Sequence, residues 1–210
     1  MGRYLESSCK LCRREGMKLM LKGVKCETAK CAIERREKSM SPGQHGWRRS
    51  KGSEYAVRLR EKQKVKRYYG LFEQQFIRYV EDAERKPGNT GEVLLTLLER
   101  RLDNVIFKLN WAPSRKAARQ LVAHGHIHVN GRKVDIGDFT VSVGDKITVK
   151  KSPKSVKRIK DQLATNPNFA TQSWLQLNAD KPEATVVALP SRDDVQIPVE
   201  EHLVIEFCSR

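Results

Sequence analysis

The sequence predicts an α+β fold in three parts: a small N-terminal knob, a mainly helical first domain, and a second domain of small antiparallel sheet with helices packed on one side. Three observations carry this. Cys9, Cys12, Cys26 and Cys31 are spaced C-x2-C-x13-C-x4-C within the first 45 residues. Apolar residues recur at helical spacing through Leu98. After residue 98 the pattern changes to two more helices, and then to alternating apolar and polar residues around Asn130-Gly131, a turn dipeptide of two-residue hairpins.

The knob comes first. A charge-rich, aromatic-poor piece of this size needs a staple. Two close cysteine pairs can converge four thiolates on one tetrahedral zinc ion, and binding energy then becomes folding energy. Cys9, Cys12, Cys26 and Cys31 are therefore the expected ligands of one structural Zn2+, with turns around Gly16 and Gly23 and a loop at Ser39–Gly46. His45 is a weaker rival for a ligand position, since four thiols already satisfy the ion. Cys208 has no neighbouring cysteine and is expected to be a small apolar residue.

Next come helices. Ser53 caps one that Gly70 stops, and six cations lie along it. Leu71–Glu84 carries Phe72, Phe76, Tyr79, Val80 and Ala83 at helical spacing, and a third helix runs through Leu94–Leu98. Arg100–Leu109 and Ser114–Gly125 form a helical hairpin around the turn Asn110–Pro113. His126–Val129, Arg132–Val134, Phe139–Val143 and Lys146–Lys150 read as strands. Lys151–Lys160 reads as a basic connector, and Thr185–Leu189 and Leu203–Phe207 as short strands.

Charge narrows the function. Residues 1–70 carry 20 Lys+Arg against 7 Asp+Glu, and residues 111–160 carry 12 against 3, in a chain of net charge +16. Two separated basic blocks favour a polyanionic nucleic acid over an anionic membrane. The residues expected at phosphates are Arg48, Arg49, Lys51, Arg58, Lys62, Lys64, Lys66 and Arg67 in the first block. In the second they are Arg115, Lys116, Arg119, His126, Arg132 and Lys133, with the cations of the 114–125 helix on the side opposite its apolar face. Tyr68 and Tyr69 fit base stacking and core packing equally. No apolar run is long enough to span a bilayer, and the start has no signal core, so a soluble cytoplasmic chain is expected.

Several segments carry a resemblance. They are Pro42-Gly43-Gln44-His45-Gly46, Tyr55–Lys64, Arg101-Leu102-Asp103-Asn104-Val105, Ser114–Val122, His124–Gly131 and Leu203–Phe207. In this order they resemble the bacterial family of small-subunit ribosomal protein four, in its zinc-binding four-cysteine form. The resemblance implies a structural, non-catalytic constituent of the small ribosomal subunit. Such a protein binds a multi-helix junction in the 5′ domain of small-subunit rRNA as a primary binder and nucleates assembly of the subunit body. It also implies contact with ribosomal protein five, an influence on decoding accuracy, and a place along the path by which mRNA enters. The expected domains are a zinc-binding segment 1–45, a helical domain 46–97 to which 197–210 returns, and an RNA-binding domain 98–196. The chain departs from the family at Asn110, where members often carry glycine.

Two rival chemistries fit parts of the sequence. Arg101-Leu102-Asp103 also resembles the motif around the catalytic aspartate of pseudouridine synthases, but no room remains for a catalytic domain, so Asp103 is expected to be paired with a cation. His124, His126 and His128 lack the further ligands of a metal cage. No nucleophile elbow, phosphate-binding glycine loop or H-E-x-x-H is present. The alternative class, an RNA-modifying or stalled-ribosome factor with the same module, predicts substoichiometric association with ribosomes.

Overall fold

The computed structural model describes residues 4–35, 40–46, 52–166, 169, 171–178 and 181–209. Arg48, Arg49 and Lys51 lie outside them. The fold is α+β, and the chain divides into two units: Met1–Leu94 with Ile197–Arg210, and Leu95–Gln196. Among the described residues no helix is long and apolar enough to cross a membrane.

The first unit begins with a helix where turns alone were expected. Helix α1 (Ser8–Glu15) ends at Gly16, whose φ of 69° is the left-handed value that closes a helix, and a 3-10 turn follows at Gly23–Cys26. The C-x2-C pair fits a helix because residues three apart share one face. Helix α2 (Glu54–Tyr69) starts as its signals predict. Ser53 Oγ accepts the Ala56 N–H at 3.2 Å, and Gly70 takes φ 67° at the other end. Helix α3 (Glu73–Glu84) buries Phe76, Tyr79, Val80 and Ala83, whereas Phe72 stands at its N-cap and is exposed. Helix α4 (Thr90–Glu99) contains the division between the units.

In the second unit, α5 (Leu102–Lys108) and α6 (Arg115–Ala123) make the hairpin. Asn110 takes φ 57° in the turn, a conformation asparagine tolerates better than most residues. Ser114 Oγ accepts the Ala117 N–H at 3.3 Å and caps α6. Strands β1 (Ile127–Val129), β2 (Arg132–Lys133), β3 (Lys146–Val149), β4 (Leu175–Leu177) and β5 (Glu183–Val186) form one antiparallel sheet in the order β2-β1-β3-β5-β4. Asn130 and Gly131 supply the two positive φ values, 49° and 80°, that a two-residue hairpin turn requires. Ile127, Val129, Ile147, Val149, Ala184 and Val186 point into a core shared with Leu102, Ile106, Trp111, Leu121, Ile159 and Trp174. The opposite face of the sheet carries His128, Lys146, Thr148, Glu183 and Thr185.

Three expected elements are corrected. Phe139–Val143 is not a strand beside β3, because β1 and β5 already occupy both edges of β3. It pairs instead with the start of the hairpin, Leu102 N–H donating to Phe139 O at 2.8 Å and Val141 N–H to Arg100 O at 3.0 Å. The basic connector is helix α7 (Pro153–Thr165), with proline in its first turn and Ile159 fully buried. Leu203–Phe207 lies in helix α8 (Glu201–Cys208), which packs on α2.

Candidate nucleic-acid interface

The cysteines come together only partly. Cys9 and Cys12 sit on α1, Cys26 ends the 3-10 turn, and Cys12, Cys26 and Cys31 are buried with Cys9 half-buried. Burial pushes the Cys12 thiol up, and the neighbouring thiols of Cys26, Cys9 and Cys31 add to this. Burial also raises Cys26, whose Sγ accepts the Lys22 N–H at 3.3 Å. The donor chemistry fits zinc, which takes thiolates. Yet among the described residues no three Cys, His, Asp or Glu side chains are grouped to hold an ion. Cys208 is half-buried on α8.

The first basic block is largely satisfied within its own unit. Arg58 pairs with Glu54 at 3.0 Å and Glu206 at 2.8 Å. Lys62 is buried, pairs with Glu73 and lies 4.6 Å from the centre of the Phe207 ring. Lys66 pairs with Glu73 at 2.5 Å, and Lys64 pairs with Glu61. Arg67 and Arg60 converge on Glu15, whose side chain is fully buried. Burial pushes the Glu15 carboxyl up against the pull of Arg67 and Arg60. At Glu73 burial acts in the same direction, but Lys62 and Lys66 outweigh it and hold the carboxyl below its ordinary range. Tyr68 and Tyr69 are core residues, packed edge to face with ring centres 5.0 Å apart.

The second block is sorted by depth. Arg115 was expected on the outer side of α6 and is only 5 % exposed. At the first turn its chain folds back, Nε donates to Asn104 Oδ1 at 2.8 Å, and the guanidinium lies 4.5 Å from the centre of the Phe107 ring. Asn104 in turn donates to Glu99 Oε2 at 2.6 Å, and Glu99 lies 4.0 Å from Lys108. Burial lowers the Lys108 ammonium. Arg119 donates to Asp103 Oδ2 at 2.7 Å, and the same carboxylate takes Arg101 at 2.9 Å. Asp103 is therefore a buried bridge between two guanidiniums, and Arg101 also pairs with Asp138. Lys116, Arg132 and Lys133 are exposed.

His126 is half-buried, with Nδ1 2.9 Å from Ser155 Oγ on α7. Burial lowers its pKa, and Arg158, His124 and Lys150 lower it further. Sequence reasoning missed these α7 neighbours because the segment read as a connector. The available signal was the apolar spacing of Val156, Ile159 and Leu163 beneath the charge.

Residues 3–99 match the Ribosomal protein S4/S9 N-terminal domain, and residues 100–147 match the S4 domain. Proteins called small ribosomal subunit protein uS4 from Halothermothrix orenii and Pelotomaculum thermopropionicum are each 55 % identical over 210 residues, covering the whole of both chains. Small ribosomal subunit protein uS4A of Symbiobacterium thermophilum is 52 % identical over the same full span. The chain belongs to the uS4 family. The family consists of structural ribosomal proteins and not of enzymes, in keeping with Asp103 acting as a charge bridge. The S4-domain match begins just before α5 and ends within β3, so α7, β4, β5 and α8 lie beyond it.

Proposed function

We propose that the protein is a cytoplasmic constituent of the small ribosomal subunit that binds small-subunit rRNA, at a multi-helix junction of the 5′ domain, and nucleates assembly of the subunit body. The observation that carries this reading is full-length identity above one half to proteins named as small ribosomal subunit protein uS4. The exposed cations of the S4-domain match supply the chemistry, since they can replace the counterions of RNA phosphates. Folded RNA is recognised largely by shape, so specificity would come from cations held on rigid elements. Lys116, Arg119, His126, Arg132 and Lys133 are the proposed contacts in the second unit. Arg58, Lys62, Lys64, Lys66 and Arg67 would have to exchange a carboxylate for a phosphate. Arg48, Arg49 and Lys51 join the set on sequence grounds.

The same reading includes contact with ribosomal protein five, an influence on decoding accuracy through it, and a position along the path by which mRNA enters. It includes one structural Zn2+ held by Cys9, Cys12, Cys26 and Cys31, whose thiolates would staple α1 to the following loop.

Stoichiometric co-sedimentation with small subunits through high-salt washes tests the ribosomal reading, and substoichiometric recovery would overturn it. For the metal, elemental analysis should give one zinc per chain, lost together with the order of residues 4–35 on chelation. An iron–sulfur absorbance, or protein lacking zinc with the same fold, would rule out the zinc site.

A further inference from the structure

The cations of the two units differ in one respect that bears on where RNA sits. The described first-block residues expected at phosphates are each engaged by a carboxylate of their own unit. In the second unit, Arg132, Lys133, Lys150, Lys154, Lys157 and Arg158 are exposed and form no ion pair among the described residues. Three of them, Lys154, Lys157 and Arg158, stand on α7, outside the matched S4 domain.

The three are one ridge of that helix. Positions 154, 157 and 158 are three and four apart and exposed, with Arg158 bordering Ser155, which α7 buries together with Ile159. Asp161 is the sole acid in the helix. The ridge is tied to the S4 domain by short contacts. His126 Nδ1 meets Ser155 Oγ at 2.9 Å, Lys150 N–H donates to His126 O at 2.8 Å, and the His124 and His126 rings are 6.1 Å apart. On the other side of this corner Gly125 takes φ 69°, and the Lys133 side chain lies across it. A Cβ there would stand 3.1 Å from Lys133 Nζ and closer still to its Cε. A cationic seam thus runs from β2 through the His124–His126 corner to α7.

We infer that the RNA-binding surface continues past the S4 domain along this seam, with Lys154, Lys157 and Arg158 seated on the phosphate backbone of an RNA helix. The inference rests on the rRNA-binding reading above. Charge selects RNA as the occupant. A protein interface has an apolar centre depleted in charge, and among the described residues α7 exposes no large apolar side chain.

The test uses the full chain and a transcribed 5′-domain rRNA fragment across a salt series. K154E/K157E/R158E is compared with R78E/R85E/K86E, an exposed triple around the end of α3 with the same change in net charge. Three lost phosphate contacts should weaken binding roughly 100-fold near physiological salt and flatten the log–log salt slope by roughly 2 to 3. The control should lose far less. The milder K154Q/K157Q/R158Q should fall between wild type and the reversal, with unchanged circular dichroism and melting, which separates contact loss from misfolding. If both α7 variants bind within about twofold of the control, the inference is overturned while rRNA binding stands. Loss of a ribosomal protein partner with RNA affinity intact would also overturn it. Failure of the wild-type chain to bind the fragment removes the functional reading as well.

Discussion

At Asp103 a single carboxylate holds two guanidiniums, one of them on the nearly inaccessible Arg101. Removing one member of a buried ion pair leaves the other charge desolvated, which commonly costs about 3 kcal/mol or more. Asp103→Asn should therefore destabilise the second unit by about 3 kcal/mol in chemical denaturation, because Asp138 can compensate only Arg101. A cost below about 1 kcal/mol would show that the bridge is dispensable. His126 offers a pH handle with the opposite chemistry. Its folded pKa is lowered, first by burial and then by Arg158, His124 and Lys150, so the folded state binds fewer protons than the unfolded chain. Stability then rises with pH through this window. It is fully present above the ordinary histidine range and is lost as pH falls through that range toward the folded value. His126→Asn, which keeps a polar group near Ser155, should flatten that acid-side loss. An unchanged pH profile in the variant would assign the loss to other groups.

Elements differ in how much of their cause is local. Helix α6 is capped by Ser114, itself buried, so Ser114→Ala should cost about 1 kcal/mol and Ser114→Asp should recover most of it. Equal losses in both variants would mean that packing of Ser114, and not its cap, matters. Such elements were legible from sequence because Ser53, Gly70, Ser114 and Asn130-Gly131 act within one turn of where they stand. Helix α8 was misread because Leu203–Phe207 is a short apolar run, for which periodicity alone does not separate helix from strand. Its helical form goes with contacts to α2: Glu206 pairs with Arg58, and Phe207 packs beside Tyr55 and Lys62. Helix α7 was hidden for a different reason. Five cations between Lys151 and Lys160 masked the apolar residues beneath it. The first basic block shows the limit most clearly. Glu15 lies 45 residues from Arg60 and 52 from Arg67, so no local pattern announces that those charges are already answered.

Across the whole molecule, the net charge of +16 overstates what is available to RNA. Charge counting alone would put every cation of both basic blocks on phosphates and predict a very steep salt dependence. The geometry predicts less, because a cation already held by a carboxylate reaches a phosphate only if its pair opens, and a pair that stays closed releases no RNA counterion. Among the described residues, the cations exposed and free of ion pairs on the second-unit seam are Arg132, Lys133, Lys150, Lys154, Lys157 and Arg158. At 0.7 to 0.9 per contact these give a log–log slope of about −4 to −5 for binding to the 5′-domain fragment. A slope near −10 would instead mean that the pairs around Glu15, Glu61 and Glu73 open onto RNA in the complex. Replacing Glu73 with Gln separates the two cases. If the first-unit pairs stay closed, the substitution frees Lys62 and Lys66 and steepens the slope by roughly 1 to 2, and if they already open it leaves the slope where it was.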